Sequence, residues 1–125
     1  MNIPSNLKYT KSDEWFDPST GAVGISDFAQ SQLSDIVFVE LLVEEGEEVS
    51  AGKAIASVES VKASAEIYSP VAGKVSAVNK GLSDKPETLN SDPFGEGWMI
   101  KIEGGSAGDM MDSAAYEKDC EGRAH

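Results

Sequence analysis

Two stretches of this chain read alike, and they constrain the fold more than any other feature. Val49-Ser50-Ala51-Gly52-Lys53-Ala54-Ile55-Ala56-Ser57-Val58 resembles Val71-Ala72-Gly73-Lys74-Val75-Ser76-Ala77-Val78. Each copy sets a valine before a Gly-Lys turn and follows the turn with a β-prone run. Two brief copies cannot make a solenoid. They suit two halves of a sheet pair related by approximate twofold symmetry. Between them, residues 54–59 read as a strand, Ser60-Val61-Lys62 as a tight connection, and residues 63–68 as the return strand. Lys62 therefore falls at the far end of the hairpin that links the copies.

The rest of the chain follows the same rule of short, β-branched runs between turn residues. Residues 22–25, 74–78 and 98–102 read as strands. Residues 35–41 (Asp-Ile-Val-Phe-Val-Glu-Leu) are nearly all apolar, which predicts a central strand buried on both faces. Ser26 and Asp27 offer capping oxygens to a short helix over 28–33. Glu45-Gly46-Glu47-Glu48 and Ala51-Gly52-Lys53 are turns, and Pro86, Asn90 and Pro93 mark a loop with a helical turn between 86 and 89. Residues 104–108 form a Gly-rich joint. A C-terminal helix is expected over about 109–120, with Met110, Met111, Ala114, Ala115 and Lys118 on one side and frayed residues from Gly122 onward. The expected architecture is mainly β, a small barrel or sandwich with peripheral helices. It forms one domain over 1–125 with its core at about 7–103.

Composition narrows the function by exclusion. A chain of 125 residues, 40% of them hydrophobic, fits one domain that folds without disulfides. Cys120 is the single cysteine, which suits a reducing compartment. A net charge of -12 repels phosphates, so neither nucleic acid nor an anionic membrane is an expected partner. No run of 18 apolar residues predicts a membrane span. The first residues have neither the apolar core of a secretory signal nor the arginines of a transit peptide.

Enzymes need acids, bases, nucleophiles or a metal gathered in a pocket. The only histidine is His125, at the end, and no cysteine–histidine cluster suggests a metal. Cys120 has no internal histidine to activate it, and Gly95-Glu96-Gly97 is only a fragment of a phosphate loop. No catalytic residue is assigned, and a non-catalytic protein is expected. What remains is a presented lysine. Spacing alone leaves Lys62 open to two readings, an ordinary solvated turn lysine or a residue displayed for modification.

Longer motifs decide between them. Glu59-Ser60-Val61-Lys62-Ala63 resembles the lipoylation segment of the glycine cleavage system H protein family. The blocks around it follow in the family's order: Lys8-Tyr9-Thr10-Lys11 with Glu14-Trp15, then Val23-Gly24-Ile25-Ser26-Asp27-Phe28-Ala29-Gln30, then Asp35 to Leu41. Tyr68-Ser69-Pro70, Asn90-Ser91-Asp92-Pro93 and Gly95-Glu96-Gly97-Trp98 complete the likeness, which covers about residues 7 to 118. A biotinyl domain uses a similar hairpin lysine but usually flanks it with methionines, unlike Val61 and Ala63.

The resemblance implies a hybrid barrel-sandwich lipoyl-type domain carrying lipoate covalently on Lys62, with Glu59, Ser60, Val61 and Ala63 as the lipoylation motif. It implies a carrier that takes an aminomethyl group from glycine decarboxylase (the P-protein). The aminomethyltransferase (T-protein) then receives it, and dihydrolipoamide dehydrogenase (L-protein) reoxidises the arm. A lipoate-attaching enzyme is a further implied partner, and a monomer is the expected state. Ser12, Glu14 and Glu66 match residues that shelter the loaded arm in a cleft, with glutamate at 66 where many members have aspartate. Lipoyl relay to 2-oxoacid dehydrogenases is the alternative role. Departures are Asp13 where many members have histidine, Phe28 where some have histidine or tyrosine, and a slightly short C-terminus. The terminal Cys-Glu and Ala-His pairs resemble plant-type members and favour a mitochondrial matrix over a bacterial cytoplasm.

Overall fold

A computed structural model describes residues 2–105 and 110–123. Among the described residues nine strands and three helices follow in chain order: β1 (Lys8–Tyr9), β2 (Glu14–Phe16), β3 (Ala22–Ile25), α1 (Asp27–Leu33), β4 (Ile36–Leu41), β5 (Glu48–Val49), β6 (Ala54–Ser60), β7 (Ser64–Tyr68), β8 (Gly73–Val78), α2 (Thr88–Ser91), β9 (Ile100–Glu103) and α3 (Ser113–Arg123). A 3-10 turn at Lys80–Ser83 precedes α2. The strands form two antiparallel sheets, one in the order β1-β2-β3-β9-β8-β5 and the other β4-β6-β7. The mainly β expectation holds, and the strands that follow the two Gly-Lys pairs, β6 and β8, land in different sheets, while Val49 of the first copy pairs with Gly73 of the second.

The copies look alike but their glycines do different work. Gly52 sits at φ +90°, where a side chain is strained whatever the space. Gly73 has no such φ; a Cβ there would strike the Glu103 carbonyl and the Ile102 side chain on the neighbouring β9. The first glycine serves a turn and the second a close strand approach.

Between the sheets lies the main core. Val39, Val58 and Ile67 come from the three-stranded sheet, and Val23, Val75, Ile100 and Ile102 from the six-stranded one. Leu7, Tyr9, Trp15, Phe28, Tyr116 and Cys120 form a second cluster beneath α3. It fastens the C-terminal helix to the first hairpin, with Tyr116 stacked on Tyr9 at 4.5 Å between centroids.

Two expectations are corrected. The strand at 35–41 is not central and not buried on both faces. β4 lies at the edge of its sheet, and Val37 and Phe38 are 55% and 47% exposed. The register slips between Ile36 and Phe38, so two successive side chains face outward. An apolar, β-branched run identifies a strand but not its neighbours.

The C-terminal helix begins later than expected and buries a different stripe. Asp112 accepts a hydrogen bond from the Ala115 N–H at 2.8 Å and so starts α3 after both methionines. Met111 instead pairs with Tyr9 as a β-bridge. Tyr116 and Cys120, four residues apart, form the buried face, while Ala114, Ala115 and Lys118 are exposed. Gly122 belongs to α3, not to a frayed end. Most of the Gly-rich joint at 104–108, and the last two residues, lie outside the described residues.

Candidate functional site

β6 and β7 form the hairpin that carries Lys62, pairing from Ala54↔Tyr68 up to Glu59↔Ser64. Three residues, Val61 to Ala63, connect the strands, and tight hairpin turns often require φ > 0 and hence Gly or Asn. Neither Val61 nor Lys62 has a positive φ. Ser60 supplies the alternative. Its N–H donates to the Ala63 carbonyl at 2.8 Å. Its hydroxyl accepts from the N–H groups of Ala63 at 3.0 Å and Lys62 at 3.3 Å. A hydroxyl thus takes the place of a backbone carbonyl in closing the turn. The Val61 N–H donates to the Asp35 carbonyl at 3.0 Å, which ties the tip to the chain entering β4. Val61, Lys62 and Ala63 are exposed, with Glu59 on the outer surface beside them.

The resulting tip suits covalent loading. Lys62 is exposed between exposed Val61 and Ala63, which leaves it open to approach. The backbone beneath it is held by five hydrogen bonds, the Ser60 hydroxyl also donating to the Ala63 carbonyl at 3.1 Å. These residues fit a lipoyl group in amide linkage to the Lys62 amine.

The first hairpin builds the second half of the site. Thr10, Ser12 and Glu14 lie in and beside the turn between β1 and β2. Glu14 is 1% exposed. The Ser12 hydroxyl donates to Glu14 Oε1 at 2.6 Å and the Thr10 hydroxyl to the same oxygen at 2.7 Å. Burial pushes the Glu14 pKa up, against the hydroxyls and the Tyr68 N–H that favour its ionised form; the Asp13 charge raises it further. A cavity of about 390 Å³ opens here, lined by Thr10, Ser12, Glu14, Tyr68, Ser69 and Pro70 among others.

Of the expected cleft residues, Ser12 and Glu14 come together. Glu66 does not line this cavity; it sits exposed in mid-β7, opposite Ser57. It does share the outward face of β7 with Ser64 and Tyr68, because alternate strand residues point the same way and Ile67 is buried. That row runs from beneath the Lys62 tip to the cavity wall at Tyr68.

Other participants escaped the reading of the sequence. Thr10 was visible as the start of a Thr-x-Ser-x-Glu alternation. Arg123 was not: it grips Asp13 through two bonds of 2.6 and 3.1 Å across 110 residues. Asp13 stands at φ +73°, a conformation that aspartate tolerates better than most. It also accepts from the Tyr116 hydroxyl at 2.9 Å. Burial raises the Tyr116 pKa. The aspartate noted as a departure is therefore the anchor of α3. Among the described residues no group of acids, histidines and cysteines is placed to hold a metal.

The family model for the glycine cleavage H-protein matches residues 7–122. A glycine cleavage system H protein of Deinococcus deserti is 50% identical over 118 residues, covering 94% of this chain and 97% of its own length. One from Listeria monocytogenes is 47% identical over 123 residues, covering 94% and 98%. The crystal structure of the H protein from Mycobacterium marinum superposes with a TM-score of 0.85 at 35% identity, covering 93% of this chain and 97% of that one. These relatives are bacterial and give no support to the mitochondrial placement favoured by the C-terminal pairs. The chain belongs to the glycine cleavage H-protein family, the lipoyl carriers of the glycine cleavage system.

Proposed function

We propose that Lys62 is the single lipoylation site and that residues 1–125 act as one carrier domain with no catalysis of their own. The observation that carries this reading is the exposed lysine on a turn closed by Ser60, inside the Glu59–Ala63 segment. Lipoate in amide linkage to Lys62 would supply a redox-active disulfide, the reactive group for carrying a one-carbon amine unit. The protein's residues supply position. The hairpin fixes the pivot, tethering keeps the carried group at high local concentration near each partner, and the Ser12–Glu14 cleft shelters it between visits. Glu66 lies on the path between tip and cleft.

Glycine decarboxylase, aminomethyltransferase and dihydrolipoamide dehydrogenase are the partners we assign, with a lipoate-attaching enzyme upstream. A monomer working in bacterial cytoplasm agrees with bacterial relatives and with visits to several enzymes. Co-expression with a lipoate ligase, followed by intact-mass and peptide mass spectrometry, tests the site. Wild type gains one lipoyl mass on the Lys62 peptide and Lys62→Ala gains none; addition persisting in the variant overturns the assignment. Reconstitution with the three enzymes then yields glycine-dependent NADH, and no NADH would favour the relay role instead.

A further inference from the structure

The Glu14 carboxylate is unevenly occupied. Among the described residues, Oε1 receives both hydroxyls, while Oε2 has only the Tyr68 N–H at 3.5 Å. Each hydroxyl owns one proton, and an ionised carboxylate only accepts. Both protons are therefore committed to Oε1, and the 3.3 Å Thr10–Ser12 contact has none left to share. Thr10 differs from Ser12 in a second way. Its hydroxyl oxygen also accepts the backbone N–H of Glu14 at 3.0 Å. Thr10 thus holds the glutamate by its main chain and its side chain together.

The neighbouring Asp13 charge is turned toward Arg123 and Tyr116. Glu14 is left as a buried acceptor on the cavity wall, with spare capacity on one oxygen. Such a group favours a cation able to donate N–H bonds, because an unpaired buried charge is costly and a charge-assisted bond relieves it.

We propose that Thr10 is a positioning residue of the cleft, fixing Oε1 so that Oε2 is the oxygen offered to a primary ammonium group on the carried arm. This rests on the cleft reading above. Its test uses the unlipoylated chain, so it is independent of Lys62. Glu14 is followed by carboxyl-carbon NMR through a pH titration, with methylammonium chloride as probe and tetramethylammonium chloride as a control that has no N–H donor.

Methylammonium, and not the control, shifts the wild-type Glu14 resonance and lowers its titration midpoint. In Thr10→Val the midpoint rises by roughly one pH unit or more, because a hydroxyl bond to the charged form is gone. Methylammonium binding in that variant weakens roughly fivefold or more. Thr10→Ser restores both, and Thr10→Ala carries the same expectation as valine should valine not fold. A wild-type Glu14 indifferent to methylammonium sinks the cleft reading and this proposal together. A response that survives loss of the Thr10 hydroxyl, or that serine fails to restore, sinks the role of Thr10 alone.

Discussion

The Lys62 tip and the Glu14 cleft are both held by hydroxyls and backbone N–H groups, yet their partners lie at very different distances along the chain. At the tip, Ser60 bonds to residues two and three positions away. The cleft has local bonds of its own, from Thr10 and Ser12 to Glu14, but its closure also needs distant ones: Glu14 meets Tyr68 across 54 residues, Ser26 meets Tyr116 across 90 and Asp13 meets Arg123 across 110. A local device survives wherever its strands pair. A long-range one exists only when the whole chain has closed. Display of the lysine and shelter of its cargo should therefore fail separately.

Tyr116→Ala should separate them most strongly. It empties a fully buried site, removes the stack on Tyr9 and takes one hydrogen bond from Asp13, for a loss of about 3–5 kcal/mol in urea denaturation. Amide shifts should spread through the first hairpin while Lys62 is still lipoylated in full. Loss of lipoylation in a folded variant would break the distinction between the two regions.

Glu14→Gln gives a smaller effect with a sign that depends on pH. The folded state raises the pKa of this carboxyl above its ordinary 4.5, so the folded protein holds the proton more tightly than the unfolded chain. Wild-type stability therefore falls as pH rises from about that ordinary value through the raised one, and is level above it. Denaturation midpoints measured across that window should decline for wild type and stay flatter for the glutamine variant. Equal slopes would mean that Glu14 is not a strained buried charge.

Ser60→Ala should cost least, about 1 kcal/mol for the lost turn hydroxyl. Its clearer sign is local. Hydrogen exchange should quicken at the Lys62 and Ala63 amides and remain unchanged at Glu14.

The same difference explains what the sequence disclosed. The hairpin around Lys62 was legible because β-prone runs, turn residues and the Glu59–Ala63 motif are all local signals. The α1 start at Ser26 was legible for the same reason, its hydroxyl accepting from the Ala29 N–H as expected. β4 was read as a strand but misplaced, because only the sheet order decides whether Val37 and Phe38 meet a neighbour or water. α3 was misread through its composition. Two methionines and two alanines suggested one face, while a single tyrosine–cysteine pair and an arginine ion pair hold the helix. No spacing rule links Asp13 to Arg123.

The bond from the Val61 N–H to the Asp35 carbonyl has a further consequence for kinetics. It braces the loop against the strand beside it, so the lysine's Cα cannot wander with a fraying hairpin. For an arm attached at Lys62, as proposed, the volume it sweeps would then be set by side-chain torsions. A fixed anchor holds that search volume small and constant, and each partner meets the reactive end at the same effective concentration on every visit.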